Sequence, residues 1–416
     1  MKTTTIVAKL DGGGTARLAL SPDASFGQRT YTPTVSVREG VARFTVRNLE
    51  PGRTYHYAVE VNGVLDLQTT GRFRVQDDPS YLFVFGSCAR SGSNHVIFDT
   101  IRALEPAPAF FVHLGDLHYD DIGRFGPADG VSYLPEYRAA YDVILRSARQ
   151  GTLWRTMPIA YTWDDHDYGP NDSDTTSPGK ADAYRAFREY VPHQPLASPT
   201  REGIYQSFVI GRVRYVLTDC RSKRSPKGRA DNVSKVVLGA EQEAWFKAEL
   251  LAAKAAGQAV CWANSKPWVA SAEAGGDSWG GYTTERARLA NFIAEHDLAE
   301  RTFIVSGDMH AVAYYDAKTD THGDYAAGGG ANLHVLQAGP LDQRSNNKGG
   351  PYTHGPLPLE ESNRGPLTRQ FGLCRVTDTG GPTITVAFSA RDSAGVELLG
   401  PPEHPTHEFT FTLNLA

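Results

Sequence analysis

Four short apolar runs in this chain each stop at side chains that bind metals, and that pattern limits the possible folds more than any other. Tyr81–Phe85 runs into Gly86-Ser87-Cys88. Ala109–Leu114 runs into Gly115-Asp116-Leu117-His118-Tyr119. Pro158–Trp163 runs into Asp164-Asp165-His166-Asp167, and Phe303–Ser306 into Gly307-Asp308-Met309-His310. Runs of this length read as buried strands. Carboxylate, imidazole, thiol or phenol at four strand ends implies one site along one edge of a sheet, where open α/β sheets bind ligands. Hard cations take oxygen ligands, and borderline ones take imidazole and thiolate. The pattern points to a metal-dependent enzyme.

The chain has 416 residues, enough for a large core and more than one domain. Its formal net charge of -5 argues against general nucleic-acid binding, which needs a basic surface. An anionic substrate would have to be drawn by bound cations and local arginines. Cys88, Cys220, Cys261 and Cys374 form no CxxC pair, so neither a disulfide framework nor a zinc finger is expected. Residues 1–8 lack a basic segment followed by an apolar core. A cytoplasmic protein is therefore expected, or a secreted or periplasmic one if the sequence has been trimmed. No window is apolar and long enough for a transmembrane segment. Nothing in the pattern fixes an oligomeric state.

Two textures divide the chain. Residues 1–76 alternate apolar and polar: Val41–Val46, a turn at Pro51-Gly52, Tyr55–Val61, a turn at Asn62-Gly63. This predicts a small antiparallel β-sandwich. The polar stretch Gln76–Ser80 marks the boundary, with a second domain over 79–416. There, strand-like runs alternate with helical stripes, which makes the domain α/β. Val96, Ile97, Ile101 and Leu104 form one stripe, with Ser93 as its cap. Further stripes hold Tyr137 and Tyr141, Trp245 and Phe246, and Leu289 and Ile293. Further strands are expected at Val213–Thr218, Ala259–Ala263, Leu333–Leu336, Phe371–Thr377, Thr383–Ala390 and Glu408–Leu415. Residues 319–331 and 341–366 read as long loops of the kind that often serve as functional lids.

Spacing carries the chemistry. Asp116 and Tyr119, three apart after a strand, can reach one cation from a single turn. A carboxylate can bridge two metals about 3.5–4 Å apart. Asp308 and His310 share one side of an extended backbone. Asp165 and His166 face opposite sides, so one can bind metal while the other serves as an acid. Taken singly, a Gly-Asp pair reads as a turn, Asp164–Asp167 as a solvated loop, and His118 as a loop residue. Asp167, Asn171, Asp172 and Asp174 read as a further oxygen-rich loop, better explained by solvation than by calcium. The coincidence of four such strand ends favours metal.

Together these four motifs resemble the PhoD-like alkaline phosphatase D family of the calcineurin-like metallophosphoesterase superfamily. Thr218-Asp219-Cys220-Arg221, Leu238–Trp245 and Asp277–Tyr282 extend the resemblance, and Leu49–Tyr57 is similar to the fibronectin type III signature. The resemblance implies a four-layer αββα sandwich behind an all-β, fibronectin III-like front domain. It implies a binuclear centre, Fe3+ plus Ca2+, with Mg2+, Mn2+ or Zn2+ as alternatives. Cys88, Asp116, Tyr119 and His310 would hold the first metal, with Asp116 bridging. Asp165, Asp308 and Asn264 would hold the second, in an all-oxygen set that favours calcium, magnesium or manganese. His166 would be the catalytic histidine, and Arg90 and Arg221 the groups gripping phosphate. The expected function is hydrolysis of small or polymeric phosphate esters by a metal-activated hydroxide. The alternative is a non-catalytic binding protein on a phosphatase scaffold.

Overall fold

The structure, a computed structural model, describes residues 2–124, 132–346, 348–357, 369–398 and 408–416. Of the loop expected over 341–366, residues 347 and 358–366 lie outside the described residues, as does Met1.

Two mixed sheets form the larger unit. In the first, Ile159–Thr162, Phe111–Leu114 and Tyr81–Gly86 run parallel. Gln370–Thr377, Thr383–Asp392 and Phe409–Asn414 continue it antiparallel. In the second, Val213–Leu217, Ala259–Asn264, Thr302–Ser306 and His334–Gln337 run parallel. Gln206–Ile210 flanks one side antiparallel, and Val312–Tyr315 and His354–Leu357 flank the other. The parallel strands are buried on both faces, as at Tyr81–Gly86 and Ala259–Asn264, which is why they read as continuous apolar runs.

Between the sheets lies a core that includes Phe83, Phe85, Val112, Leu114, Tyr215, Leu217, Phe303 and Val305. Helices cover the outer faces. Gly239–Ala255 and Thr283–Glu295 pack Phe246, Leu250, Leu289 and Ile293 against Val260, Trp262 and Ile304. On the other side, Ile97–Arg102 and Gln150–Thr156 cover Val84 and Phe111. Leu134–Arg146 and Lys180–Tyr190 enclose Tyr161 and Trp163. The mixed α/β architecture is thus as expected, with helices outside both sheets.

Two local expectations change. Ser93 does not cap the helix Ile97–Arg102, which starts at Val96 without a side-chain cap. The Ser93 hydroxyl instead donates to Asp342 Oδ2 at 2.6 Å, tying two loops together. The helix Lys180–Tyr190 was not expected. Its buried stripe is Ala183, Tyr184, Ala186, Phe187 and Tyr190, carried by small and aromatic residues.

The front unit is all-β. Lys2–Lys9 pairs with Val41–Leu49, and a second sheet joins Gly14–Ser21, Thr54–Val61 and Val64–Arg74 with two short strands. Leu18, Ala42, Phe44, Val46 and Phe73 fill it. It packs on the larger unit through Arg43, whose Nη2 donates to Arg188 O at 2.6 Å and Val191 O at 2.7 Å. The Tyr57 hydroxyl donates to Arg155 O at 3.0 Å. Among the described residues, no helix is long and apolar enough to cross a membrane.

Candidate metal centre

The C-terminal ends of the parallel strands in both sheets meet. The Thr162 hydroxyl donates to Thr218 O at 2.7 Å, and Trp163 Nε1 to Asp219 Oδ1 at 2.7 Å, stitching sheet to sheet there. At this seam Cys88, Asp116, Asp308 and His310 all take positive φ, between 54° and 65°. Such conformations cost about 1–3 kcal/mol each outside glycine and cluster at functional sites. Glycines make room for the turns. A Cβ on Gly115, at φ 96°, would lie 2.5 Å from Asp164 N, and one on Gly307 would lie 2.7 Å from Ser87 Oγ.

Three sets of ligand atoms, each within 4.8 Å of one another, share Asp116: Cys88 with His310, Asp165 with His166, and Asp164 with Asp308. A fourth joins Asp165, Asp172 and Asp277. The Tyr119 hydroxyl donates to Asp116 Oδ2 at 2.8 Å and lies 3.1 Å from His310 Nε2. His310 Nδ1 sits 2.7 Å from Arg344 O, which fixes Nε2 as the atom facing the cluster. Burial, then Lys348, holds His310 down at about 4, the neutral form that binds metals. Expected first-site residues Cys88, Asp116, Tyr119 and His310 therefore stand together.

The charge of the cluster calls for cations. Burial, then Asp165, Asp164 and Asp167, push Asp116 well above the usual carboxylate range. Burial, then Asp116 and Asp308, push the Cys88 thiol up. Burial, then Asp116 and Cys88, raise Tyr119 likewise. A bound cation inverts this logic and favours thiolate and phenolate. Asp165 Oδ1 is buried without a hydrogen-bond partner, an acceptor aimed at something the protein does not supply. The donor set fits a binuclear centre: two positions sharing Asp116, one with sulfur and nitrogen, one with oxygens.

Asp308 and Asp165 are held below the usual carboxylate range despite their burial. Lys266 and Lys348 lower Asp308 to about 2, while Arg221, Lys266 and His166 lower Asp165. Lys266 Nζ lies 2.6 Å from Asp308 Oδ2 and 3.4 Å from Asp164 Oδ2, and it also touches Asp277. Lys348 Nζ lies 2.8 Å from Asp308 Oδ1. Asp167 turns away from the cluster. Its oxygens take the backbone N–H groups of Asp116, Leu117 and Asp164 at 2.6, 2.7 and 2.9 Å. Burial raises it to about 7 against those bonds. His166 lies against Tyr119 with the rings tilted by 36° and their centres 4.2 Å apart, and its Nδ1 lies 2.7 Å from Asp121 Oδ1.

Two expected roles do not match the geometry. Arg221 is fully buried, and all its N–H groups face the protein. Nε donates to Asp164 at 2.6 Å, Nη1 to Ser173 O and Asp277, and Nη2 to Asp277 at 2.9 Å with Asp165 at 3.5 Å. It neutralises carboxylates and has no donor left for phosphate. Asn264 is likewise spent: Oδ1 accepts from Cys220, the Lys266 N–H and Trp279 Nε1, and Nδ2 donates to Lys266 O. Arg90 is exposed, its N–H on Asp342 O at 3.2 Å. Asp172 of the oxygen-rich loop binds Lys227 at 2.6 Å. Sequence reasoning missed Lys266, Lys348, Asp121 and the supporting work of Asp164 and Asp277. The only available signal was an ionisable residue shortly after a strand end, as at Lys266.

A family profile described as PhoD-like phosphatase matches residues 83–357, well over half of the chain. Alkaline phosphatase D of Bacillus subtilis (strain 168) is 25% identical over 313 residues, covering 63% of this chain and 52% of that protein. The chain thus spans about half the length of this curated relative. In fold, it is similar to the solved structure of PhoD (TM-score 0.70, 17% identity, 97% of this chain and 91% of that one). It is also similar to the purple acid phosphatase PPD1 from yellow lupin (TM-score 0.59, 14% identity, 99% and 72%). The profile match spans all four metal-facing strand ends, and on that ground the chain belongs to the PhoD-like phosphatase family.

Proposed function

We propose that this protein hydrolyses phosphate esters at the cluster around Asp116. The observation that carries the reading is the convergence of Cys88, Asp116, Tyr119, Asp165, Asp308 and His310, whose ligand atoms gather around Asp116 and would hold two cations. Thiol, phenol and imidazole suit iron at the first, and the oxygens of Asp165 and Asp308 suit calcium, magnesium or manganese at the second. When bound, the metals supply Lewis acidity and make water acidic near neutral pH.

The protein's own groups do the rest. Asp116, common to the ligand sets, would help hold both metals. Tyr119 and Asp121 orient His166, which remains 12% exposed and can hand a proton to the leaving alkoxide. Asp164, Asp277, Arg221 and Lys266 form the sealed ion network beneath. Arg90, exposed and two positions after Cys88, would meet substrate. Residues 1–76 are read as the fibronectin III-like unit packing against the catalytic unit, 79–416.

Release of nitrophenol from mono- and bis-p-nitrophenyl phosphate tests the reading. Metal-dependent release from either ester, abolished by Asp116→Asn, is expected. Phosphate binding with no turnover of either ester would favour a non-catalytic binding protein instead.

A further inference from the structure

Among the described residues, three cations balance carboxylates of the centre from sealed positions. Arg221 and Lys266 have fully buried side chains, and that of Arg224 is 2% exposed. Lys348 differs: its side chain is 39% exposed. Described residues on either side of it are pinned by hydrogen bonds. Before it, Arg344 O meets His310 Nδ1 at 2.7 Å, and the Asn346 N–H donates to His310 O at 3.3 Å. After it, the Gly350 N–H donates to Val269 O at 2.7 Å. Gly349, at φ 85°, allows that approach, since a Cβ there would lie 2.7 Å from Val269 O. The ammonium is thereby aimed at Asp308 Oδ1, 2.8 Å away, and its charge also acts on Asp165 and His310.

An ammonium has three N–H donors. Lys266 spends its own on Asp164, Asp277 and Asp308. Lys348 meets a single carboxylate oxygen among the described residues, and its side chain is 39% exposed. A partly exposed cationic donor held beside the cation positions suits a tetrahedral oxyanion. We propose that Lys348 grips a phosphoryl oxygen of the substrate, a specificity role that rests on the hydrolase reading above. The ion pair with Asp308 keeps the ammonium in place before substrate arrives, which reduces the ordering cost of binding.

The test uses the full-length, metal-loaded protein and Lys348→Met, which keeps the length of the side chain and removes its charge. Inorganic phosphate is the probe, titrated by calorimetry and used as a competitor against p-nitrophenyl phosphate. Losing one charge-assisted contact is expected to raise the phosphate Kd and the ester KM roughly ten- to a hundredfold. The effect on kcat should be smaller, elemental analysis should show undiminished metal, and Lys348→Arg should restore most of the affinity. Unchanged phosphate affinity in Lys348→Met overturns the proposal. So does affinity lost only in step with metal, because Lys348 would then merely hold Asp308. A wild type that binds no phosphate overturns it too. Lys348-dependent phosphate binding without turnover of any ester would sustain this proposal while ending the hydrolase reading.

Discussion

Asp165 and Asp167, two positions apart, do opposite work. Asp165 keeps one oxygen unpartnered toward the cluster, while Asp167 closes a capping box at the start of the helix Asp165–Tyr168. By taking the Asp116 and Leu117 N–H groups, Asp167 fixes the turn that aims Asp116. Supporting residues of this kind typically contribute 10–100-fold to metal affinity. Asp167→Asn should therefore bind metal about 10–100-fold more weakly in a chelator competition, although Asp167 touches no cation position. Unchanged affinity would remove its supporting role. The sequence Asp164–Asp167 is legible as a polar cluster at a strand end. Which carboxylate faces the metal is not, because that depends on where the helix begins. His113 is a second residue-scale case. It is fully buried among Phe111, Trp154 and Tyr161, with neither ring nitrogen bonded. Burial holds it down at about 3, against about 6.5 when unfolded. Below pH 6.5 the unfolded chain binds the extra proton, so stability falls as pH drops from 6.5 toward 3. Urea denaturation at pH 7 and pH 5 should show a shallower loss in His113→Phe than in wild type, by up to about 1.4 kcal/mol per pH unit. Equal slopes would mean that His113 already has a partner for its proton.

At the scale of elements, the parallel strands were readable and the network between their ends was not. Continuous apolar runs such as Tyr81–Phe85 give a strand through burial on both faces. The ion network joins Asp164, Arg221, Lys266 and Asp277, residues up to 113 apart in the chain, and no local pattern reveals such pairing. The same gap explains Arg221. An arginine after a strand end looks like a phosphate grip until its partners are visible. Its removal gives a clear expectation. Arg221→Ala leaves Asp164 and Asp277 buried with a charge missing, which costs about 3–5 kcal/mol of folding stability. A phosphate grip would instead raise KM and leave the urea midpoint near wild type. The missed helix Lys180–Tyr190 has a related cause: its inner stripe mixes alanines with aromatic residues and lacks the Leu and Ile spacing of helices such as Thr283–Glu295.

At the scale of the whole molecule, the fold packs two sheets face to face so that the ends of parallel strands from both feed one seam. The front unit buttresses the helices behind the first sheet through Arg43 and Tyr57 rather than reaching the seam. The change of texture near residue 76 reads as a two-part layout, because alternation of period two gives way to runs and stripes. The orientation of the parts was not legible, since it rests on a few contacts to backbone carbonyls. What the whole molecule does depends on whether the seam holds metals through Asp116. Elemental analysis of wild type and Asp116→Asn, purified without added metal, tests this most directly. The account predicts about two metal ions per wild-type chain, iron and an oxygen-seeking divalent cation among them, and loss of both in the variant together with activity. Full metal content in Asp116→Asn, or full activity in a metal-free wild type, would contradict it.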